Sequence, residues 1–180
     1  EIIKSEEFEC ANSGIEITEG ENLCKKAWKL LDADFGIGNV KIHLHKQISI
    51  GAGLGGGSAD ASFTLKALNE LFELKLANIQ LEKYALKLGA DCPFFIDNTT
   101  KLIEGIGEKM TSIDLDLSDY EIRLVNPGIH ISTKEAYSGV TSKTPEISVE
   151  KIIHDAEGVE VTNEMIAHNT VRTVEMNLRK

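Results

Sequence analysis

The sequence predicts an α+β fold, with helices packed on one side of a mostly antiparallel sheet. Three observations lead there. Val40 to His45 alternates strictly between apolar and polar side chains, the two-residue period of a half-buried strand. A glycine-rich run from Gly51 to Gly57 is followed by Ala61, Leu65, Leu68 and Phe72 at helical spacing, so it joins a strand to a long helix. Strands and helices follow in mixed order, not in the regular alternation of a parallel sheet.

The elements follow in order. Ile2-Ile3 and Phe8 to Cys10 read as two short strands, Asn12-Ser13-Gly14 as a turn, and Ile15 to Ile17 as a further extended piece. Leu23, Ala27 and Leu30-Leu31 share one helical face, and Gly36 and Gly38 end that helix. In the alternating strand Val40, Ile42 and Leu44 point inward, which leaves His43 and His45 on the solvent side. With no third ligand at suitable spacing, the two histidines make no metal site. A helix over 80–88, capped by Asn78 and stopped by Gly89, puts Leu81, Tyr84-Ala85 and Leu88 on its buried side. Ala90 to Ile96 reads as an apolar extended segment, Gly105 to Glu108 as a turn, Tyr120 to Val125 as a strand and Asn126-Pro127-Gly128 as its turn. Glu150 to His154 suggests a helical turn. The last twenty residues show no clear pattern.

Composition narrows the function. Hydrophobic residues are 42% of the 180, enough for a real core. With 29 acidic and 19 basic side chains the formal charge is −10, a field that repels nucleic acid and anionic membrane. Three cysteines without framework spacing suit a reducing, cytoplasmic setting. No apolar run approaches a membrane span, and no signal peptide is visible. The chain opens on Glu1 rather than Met, so its start is expected to lie upstream.

Two features carry chemistry. Five glycines lie between Gly51 and Gly57, with Ser58 where the helix should begin. Glycine lets the backbone approach an anion closely, and the first helical amides and the helix dipole favour negative charge. The loop therefore either binds phosphate or is a tight packing turn. It is not a P-loop, because no Gly-Lys-Ser/Thr ends it, and it makes a poor dinucleotide fingerprint. Asp91 stands between a helix end and Pro93-Phe94-Phe95, a poorly solvated place for an acid. It either takes the proton of an attacking hydroxyl or caps the Cys92-Pro93 turn. Cys92 is not read as a nucleophile, since no histidine base is close in sequence.

Gly51 to Ala61, together with Leu88-Gly89-Ala90-Asp91-Cys92-Pro93-Phe94-Phe95, resembles the galactokinase, homoserine kinase, mevalonate kinase and phosphomevalonate kinase (GHMP) superfamily. Glu21-Asn22-Leu23, Lys46-Gln47-Ile48, Leu68-Asn69, Glu104 to Glu108, and Asn126-Pro127-Gly128 with Ser132-Thr133 and Tyr137 make it similar to the branch that phosphorylates a cytidine nucleotide in the non-mevalonate route to isoprenoids. The resemblance covers about residues 1 to 153. It implies a GHMP-type N-terminal domain and phosphoryl transfer from ATP, with Mg2+, to a hydroxyl of a small cytidine-nucleotide substrate. It further implies that Gly53, Leu54, Gly55, Gly56, Gly57 and Ser58 cradle the ATP phosphates, with Ser58 at the magnesium. Asn22, Leu23 and Lys46 would line the adenosine side, Asp91 would be the catalytic acid-base, and Tyr137 would stack on the cytosine.

The chain also departs from that family. The first strand, with its Pro-Ala-Lys-Leu-Asn stretch, and the C-terminal domain are expected to be missing, so the fold would be incomplete. Ser49 stands where the family has proline, and Thr162-Asn163-Glu164-Met165 matches only faintly. Residues 1–120 are expected to form the central part of the ATP-binding domain, 121–153 to start the substrate-side domain, and 154–180 to be an unassigned tail. A sheet without its first strands exposes an edge through which two copies could pair as a homodimer. The alternatives are another kinase of the superfamily, or a non-catalytic nucleotide-binding or interaction fragment.

Overall fold

The computed structural model describes residues 1–17, 22–49, 53–114, 120–124 and 174–178, with 138, 148 and 151. The chain divides into two compact units, Glu1–Ser112 and Ile113–Lys180.

The first unit opens with β1 (Ile2–Lys4) and β2 (Glu9–Gly14), followed by α1 (Leu23–Phe35) and β3 (Val40–Lys46). β3 is the central strand, antiparallel to β1 and parallel to β2. The expected turn at Asn12-Ser13-Gly14 is strand instead, because all three residues pair with Leu44, His45 and Lys46. That ladder satisfies the backbone groups a turn would have closed locally. Gly14 has φ +79°, and a side chain there would meet the Lys46 carbonyl oxygen at 2.3 Å.

α1 begins where Asn22 Oδ1 accepts the Cys24 N–H at 2.8 Å and ends at Gly36 in the left-handed region, as the glycine signals predict. β3 buries Val40 and Ile42, half-buries Leu44 and exposes both histidines, in line with its alternation. α2 (Gly56–Leu71) and α3 (Asn78–Leu88) follow. Asn78 is the first residue of α3 and not its cap, because its side chain instead donates to Asp97 Oδ1 at 2.8 Å. The Ala77 N–H is satisfied by Gln80 Oε1, reaching back from the third helical position at 2.9 Å.

The segment read as extended, Ala90 to Ile96, folds as a tight turn and a short helix, α4 (Phe94–Asp97). Main-chain bonds from Cys92 N to Gly89 O, Phe95 N to Cys92 O and Ile96 N to Pro93 O, each 3.1 Å, hold it. Pro93 fits because its fixed φ suits the start of a helix, where no N–H is needed. β4 (Lys101–Glu104) and β5 (Lys109–Ser112) form an antiparallel hairpin around the expected turn. One core joins Cys24, Ala27 and Leu31 of α1, Val40 and Ile42 of β3, Ala61, Leu65 and Leu68 of α2, Leu81 and Ala85 of α3, and Cys92 and Ile96.

In the second unit β6 (Tyr120–Leu124) pairs antiparallel with β7 (Val174–Leu178). β7 lies where sequence reading found no pattern, although Val174, Met176 and Leu178 alternate with Glu175 and Asn177. Asn126-Pro127-Gly128, Ser132-Thr133 and Tyr137 lie outside the described residues. Among the described residues no helix is long and apolar enough to cross a membrane.

Candidate functional site

The site is built around the N-terminus of α2. The helix starts at Gly56, two residues before the expected start at Ser58. Gly55 takes a left-handed conformation (φ +66°) at the cap, and its carbonyl accepts the Ala59 N–H at 2.9 Å. That geometry leaves the amides of Gly56, Gly57 and Ser58 without an intrahelical acceptor. They form a donor set suited to an anion, with the positive end of the helix dipole behind them.

The glycines here also meet packing demands. A side chain on Gly56 would strike Ile48 at 2.8 Å, and one on Gly55 would strike the Phe95 ring at 2.8 Å. Gly53, at φ +70°, has open space around it, and Leu54 is exposed. At Gly57 an added carbon would touch Leu23 Cδ1 at 3.6 Å, and at Gly56 it would lie 3.4 Å from Lys46 Nζ. Leu23 and Lys46 are thus brought against the loop. Asn22 stays at the head of α1, its side-chain oxygen engaged as the cap.

Lys46 is the buried cation of the site. Its side chain is 3% exposed and ion-paired with Asp60, whose side chain is 24% exposed. Sequence reasoning passed over Asp60, yet two signals pointed to it. Lys46 is in phase with Val40, Ile42 and Leu44, so it must face inward and needs a partner. Asp60 is one helical turn beyond Gly56 and so shares its face.

The Asp91 turn is fastened to the same helix. Ser62 Oγ donates to the Cys92 carbonyl at 2.6 Å. Asp91 is therefore tied to α2 through its neighbour. Contrary to the expectation of a poorly solvated acid, Asp91 is exposed. Among the described residues its carboxylate has no hydrogen-bond or ion-pair partner, and the turn is closed by main-chain bonds instead of by its side chain. Cys92 is fully buried, and burial pushes its thiol up, which fits a packing residue and not a nucleophile. His43 and His45 are exposed on the far face of β3, with His45 Nδ1 3.0 Å from Ser13 Oγ. Among the described residues no group of three or more His, Cys, Asp or Glu could hold a metal ion.

Residues 22–98 match the family described as GHMP kinases N terminal domain, the stretch that holds α1, the loop, α2, α3 and the Asp91 turn. The relatives and solved structures below point to the same family, the GHMP kinases. Within it, the chain is 48% identical over 151 residues to the 4-diphosphocytidyl-2-C-methyl-D-erythritol kinase of Bacteroides fragilis, covering 82% of this chain and 55% of that protein. It is 47% identical over 157 residues to the enzyme of the same name from Azobacteroides pseudotrichonymphae, covering 86% and 59%. A crystal structure of 4-(cytidine 5'-diphospho)-2C-methyl-D-erythritol kinase superposes with a TM-score of 0.69 at 32% identity, covering 88% of this chain and 58% of that one. Homoserine kinase from Cytophaga hutchinsonii shares the fold, with a TM-score of 0.57 at 15% identity, covering 86% and 52%. The chain spans a little over half the length of the curated relatives it matches.

Proposed function

We propose that this chain is the ATP-binding part of a kinase that phosphorylates the 2-hydroxyl of 4-diphosphocytidyl-2-C-methyl-D-erythritol, a step of the non-mevalonate route to isoprenoids. The observation that carries this reading is the fastening of the Asp91 turn to α2, the helix that the glycine loop opens, through Ser62. Relatives at 44–48% identity bearing that kinase's name supply the substrate.

The residues then take these roles. The amides from Gly53 to Ser58, beside exposed Leu54, hold the ATP phosphates. Asn22, Leu23 and Lys46 line the adenosine side, with the Lys46–Asp60 pair fixing β3 against α2. Asp91, open to solvent, accepts the proton as the substrate oxygen bonds to the γ-phosphorus and the bond to ADP breaks. Tyr137 stacks on the cytosine. Among the described residues the donor set fits magnesium only as a partner of the phosphates, since Asp60 is engaged by Lys46 and the Ser58 hydroxyl is what the loop offers. Bound there, Mg2+ supplies charge neutralisation to the transferring group. Residues 1–120 carry this half of the site, and 121–153 begin the substrate side. Three free thiols suit a reducing compartment such as the cytoplasm.

The test is ADP release with magnesium, ATP and the cytidine nucleotide. It is run on the 180-residue chain and on a chimera in which that chain replaces the matched stretch of the Bacteroides fragilis relative. Turnover is expected at least in the chimera, and Asp91→Asn should lower it on the order of 10²-fold or more. Turnover that survives Asp91→Asn removes Asp91 from the role. A chimera that binds ATP but leaves the cytidine nucleotide untouched contradicts the assignment.

A further inference from the structure

Asp91 is held by backbone alone, so whatever fixes the backbone of its turn fixes its carboxylate. One side of the turn is set by α2, through Ser62 and the Cys92 carbonyl. The other side meets the β4–β5 hairpin. At Gly107 (φ +112°) an added side-chain carbon would lie 2.1 Å from the Ala90 carbonyl oxygen and 3.0 Å from its carbon. Both atoms belong to the Ala90–Asp91 peptide. No other residue type fits, for reasons of space and of backbone conformation. The hairpin turn is itself braced. Gly107 N donates to Glu104 O at 3.3 Å, and the Glu108 carboxylate accepts the Ile106 N–H at 2.7 Å.

We infer that Gly107 is a positioning residue. The hairpin turn seats against the Ala90–Asp91 peptide and, with α2 opposite, clamps Asp91 at the distance and angle that proton acceptance requires. This rests on Asp91 serving as the proton acceptor proposed above. Transfer chemistry is sensitive to misplacement of about an ångström, whereas ATP held by the α2 amides does not depend on the hairpin.

The test compares Gly107→Ala with Gly105→Ala in whichever of the two forms turns over, with Asp91→Asn in parallel. Gly105 shares the turn and has φ +68°, but the three atoms nearest a side chain there, from 2.4 Å, are those of the Glu108 carboxylate and not of the Asp91 turn. Gly107→Ala should lower kcat about 10–100-fold, with KM for ATP within about twofold, while Gly105→Ala keeps most of kcat. Equal losses in both variants, or an unchanged kcat in Gly107→Ala, would overturn the clamp. If Gly107→Ala does not fold, Ser62→Ala decides from the α2 side of the turn by the same split: a several-fold loss of kcat at constant KM supports the clamp, and an unchanged kcat rejects it. Should the unmutated protein show no turnover, the kinase reading itself has failed; should Asp91→Asn remain active, Asp91 is not the proton acceptor. The clamp is then judged on the 180-residue chain by amide NMR. Gly107→Ala must move the Asp91 and Cys92 resonances more than those from Gly53 to Ser58, and the reverse order rejects it.

Discussion

At the residue scale the Lys46–Asp60 pair decides most. An ammonium 3% exposed cannot be left unpaired without a large desolvation penalty. Asp60→Ala should therefore destabilise the chain by roughly 2–4 kcal/mol, toward the lower end because the carboxylate side is partly open to water. Asp60→Asn, which keeps an acceptor oxygen, should cost clearly less; urea unfolding checks both. A second residue gives a pH signature. Tyr84 donates to Asp34 Oδ2 at 2.5 Å, and the carboxylate pushes its hydroxyl up to about 12. With a folded value above the unfolded one, the contribution is complete below about pH 10 and is lost as pH rises toward 12. Ultraviolet titration should show Tyr84 ionising late, and Asp34→Asn should return it to the ordinary range.

At the scale of elements the glycine run serves two purposes that sequence cannot separate. Gly53 has open space, but Gly55 and Gly56 are pressed against Phe95 and Ile48. Gly56→Ala puts a carbon 2.8 Å from the branched end of Ile48, which cannot swing aside as a long side chain would. It should cost about 1–3 kcal/mol. Ile48→Ala should relieve part of that loss, and a double-mutant cycle in thermal unfolding reads the coupling. Legibility differed by element for physical reasons. α1, β3 and α2 were readable because caps and periodicity are local signals. β2 was readable only at its start, Glu9-Cys10, because a parallel ladder to β3 overrode the turn propensity of Asn12-Ser13-Gly14. The Asp91 turn read as extended because its apolar run is buried by α2 contacts that lie outside the local sequence.

For the whole molecule, the family was legible from the order and spacing of motifs, and the comparisons agree with it. The contacts that assemble the site were not, because Asp60, Ser62, Phe95 and Gly107 gain their meaning only from partners brought close by folding. Net charge acts at this scale too. A chain of formal charge −10 repels ATP at long range, so salt should speed nucleotide association between low and physiological ionic strength. Stopped-flow binding at fixed magnesium checks this. A rate that falls with salt would mean that the local field of the loop outweighs the whole.

The central claim is that the glycine loop and Asp91 act together on a hydroxyl of a cytidine nucleotide. Identifying the product tests it most directly: phosphorus NMR of 4-diphosphocytidyl-2-C-methyl-D-erythritol after incubation with ATP, magnesium and the chimera, with and without Asp91→Asn. The expected result is a new phosphomonoester on the 2-oxygen, formed with one ADP per product and absent in the variant. ADP formed without that phosphomonoester, or the phosphomonoester formed equally well by Asp91→Asn, would contradict the account.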